Sequence, residues 1–179
     1  LLQPDLGSAL IVIFICVVMY FVAGARMRHL AVGALIAFII SIIVIYNVSH
    51  VKERFSAFLK PSIECSEDYC WQTQQAKIAV GSGGLWGRGL AQGVQKSYWL
   101  PQATDDFIFA ASAEELGFLR IIFVVLAFSV LGYRGFQVAN HSPNRFALLT
   151  ASGITAWIVF QAFMNVSVNI GLFPVTGIT

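Results

Sequence analysis

The chain has 179 residues, 58% hydrophobic and only 11% charged, with a net charge of +2 and a mean hydropathy of +0.76. A soluble domain averages about 45–50% apolar and about 25% charged. The composition therefore excludes a soluble globular domain, a disordered tail and a nucleic-acid binder. Three cysteines are too few for a disulfide scaffold. The chain opens without Met and stops in an apolar run, which leads us to expect a piece of a longer membrane protein.

Four apolar stretches are long enough to cross a bilayer, which takes about 20 helical residues for about 30 Å of hydrocarbon. The first, Leu6 to Ala25, carries no charge. The second runs from about Leu30 to Asn47. The third begins near Phe107, ends near Tyr133 and carries Glu114, Glu115 and Arg120 in its first half. The fourth starts near Phe146 and is uncharged to the chain end; Gly171 and Pro174 are expected to end or break it. The expected fold is all-α: a polytopic bundle of four transmembrane helices with one large extracytoplasmic loop. No stretch has the flanks and cleavage site of a signal peptide.

The short connectors orient the bundle. Arg26 and Arg28 join spans one and two, and Arg134 and Arg145 bracket the join of spans three and four, with no acid in either connector. Basic connectors stay cytoplasmic, so the segment His50–Asp106 is expected outside. That segment is too rich in Trp, Tyr, Leu and Phe for disorder, and loops of this length are usually functional. A helix is expected over about Tyr69–Val80, followed by a glycine-rich turn.

Several residues in this loop invite chemistry, and each has a plain alternative. Gly81-Ser82-Gly83-Gly84-Leu85-Trp86-Gly87-Arg88-Gly89 lacks the Lys-Ser/Thr ending of a phosphate loop; its glycines serve turns or close packing, or its backbone amides hold a phosphate together with Arg88. Cys65 and Cys70 either pair or stay as thiols. Asp105-Asp106 either starts a helix, one of them capping free amides, or supplies a general base. Glu114 and Glu115 lie one to two turns into span three, where acids face a cavity or a cation. Arg120 is poorly placed to be that cation, at i+5 to i+6 on the same helix. Asp5, after Pro4, reads as a cap for span one.

Four blocks carry a family resemblance. They are Gln3-Pro4-Asp5-Leu6-Gly7-Ser8-Ala9; Gln72 and Gln75 with Ile78-Ala79-Val80 and the glycine-rich run through Leu90; Gln95-Lys96, Leu100-Pro101, Asp106-Phe107-Ile108-Phe109-Ala110 and Glu114-Glu115-Leu116-Gly117; and Asn165 with Gly171-Leu172-Phe173-Pro174-Val175-Thr176-Gly177-Ile178. In order and spacing the chain resembles the C-terminal half of the SEDS proteins (shape, elongation, division, sporulation), the group that includes RodA and FtsW. The resemblance covers residues 1–179 and implies part of a ten-helix fold in the bacterial cytoplasmic membrane, with residues 50–106 as its extracytoplasmic catalytic loop. It implies a peptidoglycan glycosyltransferase that polymerises lipid II beside a class B penicillin-binding protein, the transpeptidase. The older alternative is a lipid II flippase.

The family's essential Asp stands in a Leu-Pro-Glu-x-His-Thr-Asp-Phe-Ile-Phe motif, which here falls on Asp106. Gln102, Thr104 and Asp105 replace the motif's Glu, His and Thr. On this resemblance Asp106 is the expected base for the acceptor hydroxyl. Lys77, Arg88 and Lys96, with Arg54 behind them, are the expected cations for the leaving pyrophosphate. Gln75 and Glu115 complete the expected substrate contacts. No metal ligand set is evident, although a divalent cation could share the pyrophosphate, and no nucleotide is expected. Gln95-Lys96 and Leu85-Trp86-Gly87-Arg88 resemble division-type members more, Lys77 elongation-type members; the division type is favoured.

Overall fold

The computed structural model describes residues 6–48, 51–52, 58, 68–100 and 105–175. Asp5, Arg54, Cys65, Gln102 and Thr104, and the side chain of Cys70, lie outside what it describes. All described regular structure is helical. Helix α1 spans Leu6–Val22, α2 Met27–Asn47, α3 Asp68–Ser82, α4 Gln95–Tyr98, α5 Ile108–Asn140 and α6 Arg145–Asn169. Three of these, α2, α5 and α6, are long and apolar enough to cross a membrane, and α1 is a shorter apolar helix. At 17 residues α1 is about 25 Å long, near the lower limit for a span.

Helix α6 is the centre of the bundle, packing against α1 on one side and α5 on the other. Small residues set these contacts, as expected where lipid supplies no hydrophobic drive between helices. A Cβ at Gly132 would lie 2.9 Å from Val159 Cγ2, and one at Gly153 would lie 2.9 Å from Met19 Sδ. Gly135 leaves no room for a Cβ beside Thr155 Oγ1. The rings of Phe14 and Phe160 stack with centroids 3.9 Å apart. Hydroxyls within the helices turn back to their own backbone, as Ser152 to Leu148 O and Thr155 to Ala151 O at 2.7 Å each. Helix α6 begins where Asn144 Oδ1 accepts from Ala147 N at 2.8 Å.

The described residues between α2 and α5 pack onto one end of this bundle. Ala76 and Ala79 of α3, Leu100, Phe107, Ala110 and Ala111 of the α5 entry, and Val168 and Val175 around the end of α6 form one buried cluster. Trp71 and Trp99, with ring centroids 6.3 Å apart, tie the start of α3 to the residue before Leu100.

Two sequence expectations need correcting. The third span does not end near Tyr133: α5 continues to Asn140, so the connector to α6 is only residues 141–144. The last turns are held by polar side chains of the same helix, Arg134 Nη1 to Gln137 Oε1 at 3.2 Å and Gln137 Nε2 to the Tyr133 hydroxyl at 3.1 Å. The third span is also not one continuous helix, because Gly117 has φ 76°, ψ 170°.

Candidate active site

The candidate side chains gather in two places along the first three turns of α5. The deeper one surrounds the Gly117 break. In an unbroken helix Phe118 N would donate to Glu114 O, and Leu119 N to Glu115 O. Here Phe118 N donates to Gly84 O (2.9 Å) and Leu119 N to Leu85 O (3.2 Å). The vacated carbonyls accept from the same loop: Glu114 O from Arg88 N (3.0 Å) and Glu115 O from Gly89 N (3.1 Å). The loop and the helix have exchanged partners, so a break within a membrane-spanning helix leaves these backbone groups satisfied by protein.

That exchange settles what the glycine-rich run does. A Cβ at Gly83 would collide with Ala113 O, one at Gly87 (φ 82°) with Glu115 O, and one at Gly117 with Gly87 N. The amides of Gly83, Gly84, Gly87, Arg88 and Gly89 all donate to backbone carbonyls. The run is a close-packing device, and these amides are not an anion cradle.

The break positions two carboxylates. Glu114 is fully buried. It accepts from Val94 N at 3.1 Å and Gln95 N at 3.1 Å, and Arg88 Nη1 lies 3.5 Å from its Oε1. Glu115, also buried, has Lys96 Nζ 2.6 Å from its Oε1. Gly93 lies beneath both: a Cβ there would be 3.1 Å from Glu115 Oε1 and 3.3 Å from Glu114 Oε2. Arg120 is not the partner of Glu114; its Nη1 donates to Trp86 O at 3.4 Å.

The shallower place is the entry to α5, where Asp106 stands. The helix does not start on an aspartate: the N-cap position is Phe107, without a side-chain cap. The buried amide of Asn169, on α6, takes that role from across the bundle. Its Oδ1 accepts from Ala110 N at 3.0 Å, and its Nδ2 donates to Asp106 O at 3.1 Å. Asn165 Nδ2 donates to the same carbonyl at 3.1 Å. The amides of Asn165 and Asn169 also bond each other, Nδ2 of Asn169 to Oδ1 of Asn165 at 3.2 Å. Asp105 is exposed and Asp106 half-buried. Beside Asn165, an apolar groove of about 420 Å³ opens between α5 and α6, walled by Ile108, Phe109, Val124, Phe128 and Ile158.

Of the expected site residues, Arg88, Lys96 and Glu115 meet around the break, with Glu114. Lys77 lies instead at the end of α6, its ammonium against Gly171, whose φ of 77° and missing Cβ leave it space. Gln75 is buried in α3, beside Ala76 of the cluster that contains Phe107. Asn169 was not among the expected residues. Its signal was present: two Asn four residues apart share one face of an apolar helix, and amides in spans are there to bond. Among the described residues no three His, Cys, Asp or Glu side chains form a metal-like group.

Comparison with known proteins shows the family. The family model FTSW_RODA_SPOVE, described as cell cycle protein, matches residues 1–179. Stage V sporulation protein E of Bacillus subtilis is 40% identical over 99% of the chain and 48% of its own length. A probable peptidoglycan glycosyltransferase FtsW of Methylomonas methanica is 39% identical over the whole chain and 47% of its own length. A solved chain from work on structural coordination of polymerization and crosslinking by a peptidoglycan synthase complex is 29% identical, with a TM-score of 0.75 over 99% of this chain and 48% of that one. The chain spans about half the length of the curated relatives it matches. The apolar helices and the matched family together make this a multi-pass inner-membrane protein, and the chain belongs to the FtsW/RodA/SpoVE family of cell cycle proteins.

Proposed function

We propose that the protein containing this chain is a peptidoglycan glycosyltransferase that polymerises lipid II at the outer membrane face, with Asp106 as general base. The observation that carries the reading is the placing of Asp106: a carboxylate at the very start of a membrane-spanning helix, on a backbone fixed by two buried amides. The relatives named as probable peptidoglycan glycosyltransferases support it, matched over the whole chain.

The chemistry needs a base and a stabilised leaving group. A sugar hydroxyl is too weakly acidic to attack unaided near neutral pH. As the acceptor oxygen forms its bond to the donor's C1, its proton passes to the Asp106 carboxylate. The C1–O bond to phosphate breaks and the polyprenyl pyrophosphate leaves with the electron pair. The developing negative charge calls for cations. Lys77 at the end of α6, and the exposed faces of Arg88 and Lys96, are our candidates, with Arg54 as a further cation on the resemblance alone and Gln75 and Glu115 as further contacts. The donor is already activated, so no nucleotide enters. Relatives named for FtsW and for a sporulation protein favour a division-type role. The synthase complex named for polymerization and crosslinking supports a transpeptidase partner, a class B penicillin-binding protein.

The test is polymerisation of labelled lipid II by the full-length protein with its partner, in detergent, where there is no leaflet to flip across. The wild type is expected to make glycan. Asp106→Asn should lower the rate by about 10²–10⁴-fold, and Asp105→Asn should leave it within a few-fold. A wild type that makes no glycan would reject the polymerase and leave a lipid II flippase as the reading. Activity lost in Asp105→Asn but kept in Asp106→Asn would move the base to Asp105.

A further inference from the structure

The backbone around Asp106 is held in an unusual way. In a regular helix Ala110 N would donate directly to Asp106 O, four residues back. The next bond in that series is regular, Ala111 N to Phe107 O at 3.0 Å. The one before it is opened, and the side-chain amide of Asn169 is inserted into the gap. Ala110 N donates to Asn169 Oδ1 (3.0 Å), and Asn169 Nδ2 donates on to Asp106 O (3.1 Å). One amide therefore replaces one backbone bond, and Asp106 is peeled away from the helix without leaving either group unsatisfied.

The rest of the arrangement fixes that amide. Asn169 is fully buried, and its Nδ2 also meets Asn165 O at 2.8 Å, the carbonyl one turn back on its own helix. Asn165 gives Asp106 O its second donor, at 3.1 Å. A carbonyl that accepts two bonds from one face of a packed helix has little freedom to swing. The Asp106 backbone, from which the carboxylate projects, is thereby tied to α6. Neither Asn need touch substrate to matter.

We propose that Asn169, supported by Asn165, is a positioning residue for the Asp106 carboxylate: by inserting its amide into the first turn of α5 it holds the base outside the helix. The proposal rests on Asp106 being the base. A misplacement of about 1 Å can lower a rate about 100-fold, so the effect should fall on the chemical step.

The experiment uses the full-length protein with its partner and lipid II in detergent. Asn169→Ala should lower kcat about 10- to 100-fold with KM unchanged, since substrate contacts remain. Asn165→Ala keeps the inserted amide, with its bond to the residue 165 carbonyl, but removes one of the two donors to Asp106 O and the side-chain acceptor of Asn169 Nδ2. It should lower kcat by about 2- to 10-fold, the worth of one neutral hydrogen bond, again with KM unchanged. Should Asn169→Ala not fold, Asn165→Ala decides the matter alone. Unchanged kcat, or a rise in KM with kcat kept, overturns the proposal. A third readout separates it from the base assignment. If Asp106→Asn itself polymerises at the wild-type rate, the base assignment has failed; if Asp106→Asn is inactive and the Asn variants keep their kcat, only the positioning role has failed.

Discussion

Gly87 and Gly117 meet backbone to backbone, with no room on Gly117 for even a methyl group against Gly87 N. Their positive φ values, 82° and 76°, and this contact hold together the exchange of hydrogen bonds between the glycine-rich loop and α5. The break at Gly117 in turn presents Glu114 and Glu115 to Arg88, Gly93, Val94 and Lys96.

Gly117→Ala should destabilise the protein by at least about 2 kcal/mol, because its φ/ψ region is nearly closed to other residues and the new methyl group has no space. Gly87→Ala should act in the same direction. Denaturation midpoints of the detergent-solubilised full-length protein measure both. Wild-type midpoints for both variants would show that the break does not depend on this contact.

Glu114→Ala removes a fully buried carboxylate and leaves the Val94 and Gln95 amides and the Arg88 guanidinium without their acceptor. Breaking one side of a buried pair costs about 3–5 kcal/mol. Arg88 is 43% exposed at its side chain and can turn to water, so we expect the lower end, about 3 kcal/mol. Glu114→Gln, which keeps an acceptor oxygen, should lose less. Thermal unfolding of the two variants side by side gives the comparison, and equal losses would contradict the role of the backbone amides.

The candidate pyrophosphate cations should not be equivalent. Lys96 sits 2.6 Å from Glu115, and that carboxylate balances much of its charge. Lys77 lies at the end of α6, beside the cluster that carries Phe107. Lys77→Ala should therefore slow lipid II polymerisation more than Lys96→Ala, approaching the roughly 10²-fold typical of an electrostatic stabiliser. Initial rates at saturating lipid II decide it. A larger loss in Lys96→Ala would assign the leaving group to the Glu115 side.

Membrane orientation is checkable by single-cysteine labelling in a background with Cys16, Cys65 and Cys70 replaced by Ser. Leu90 is 74% exposed in the loop between α3 and α4, and Pro143 is exposed in the connector before α6. A membrane-impermeant reagent on intact cells should label Leu90→Cys and miss Pro143→Cys, as the basic connectors require. The reverse pattern would invert the topology.

Local chemistry made much of this protein legible in one dimension. Apolar runs of about 20 residues report spans because hydrocarbon burial depends on composition over that window. Helix α3, expected over about Tyr69–Val80, forms over Asp68–Ser82, and α6 ends before Gly171 as Gly and Pro dictate. The order of motifs was enough to suggest the family. What lay beyond reach was every pairing across distance. That the glycines serve close packing, with their amides turned away from an anion, depends on Ala113–Gly117 lying against them. That Glu114 pairs with Arg88 while Arg120 turns to Trp86 depends on how the loop crosses a broken helix. That Phe107 stands at the helix start and an amide 59 residues away from Ala110 completes it depends on the approach of α6 to α5. Hydropathy and spacing are properties of neighbours in the chain. Hydrogen bonds exchanged between segments 20 to 60 residues apart are decided only when packing brings donor and acceptor to hydrogen-bonding distance, and that is fixed by the tertiary fold.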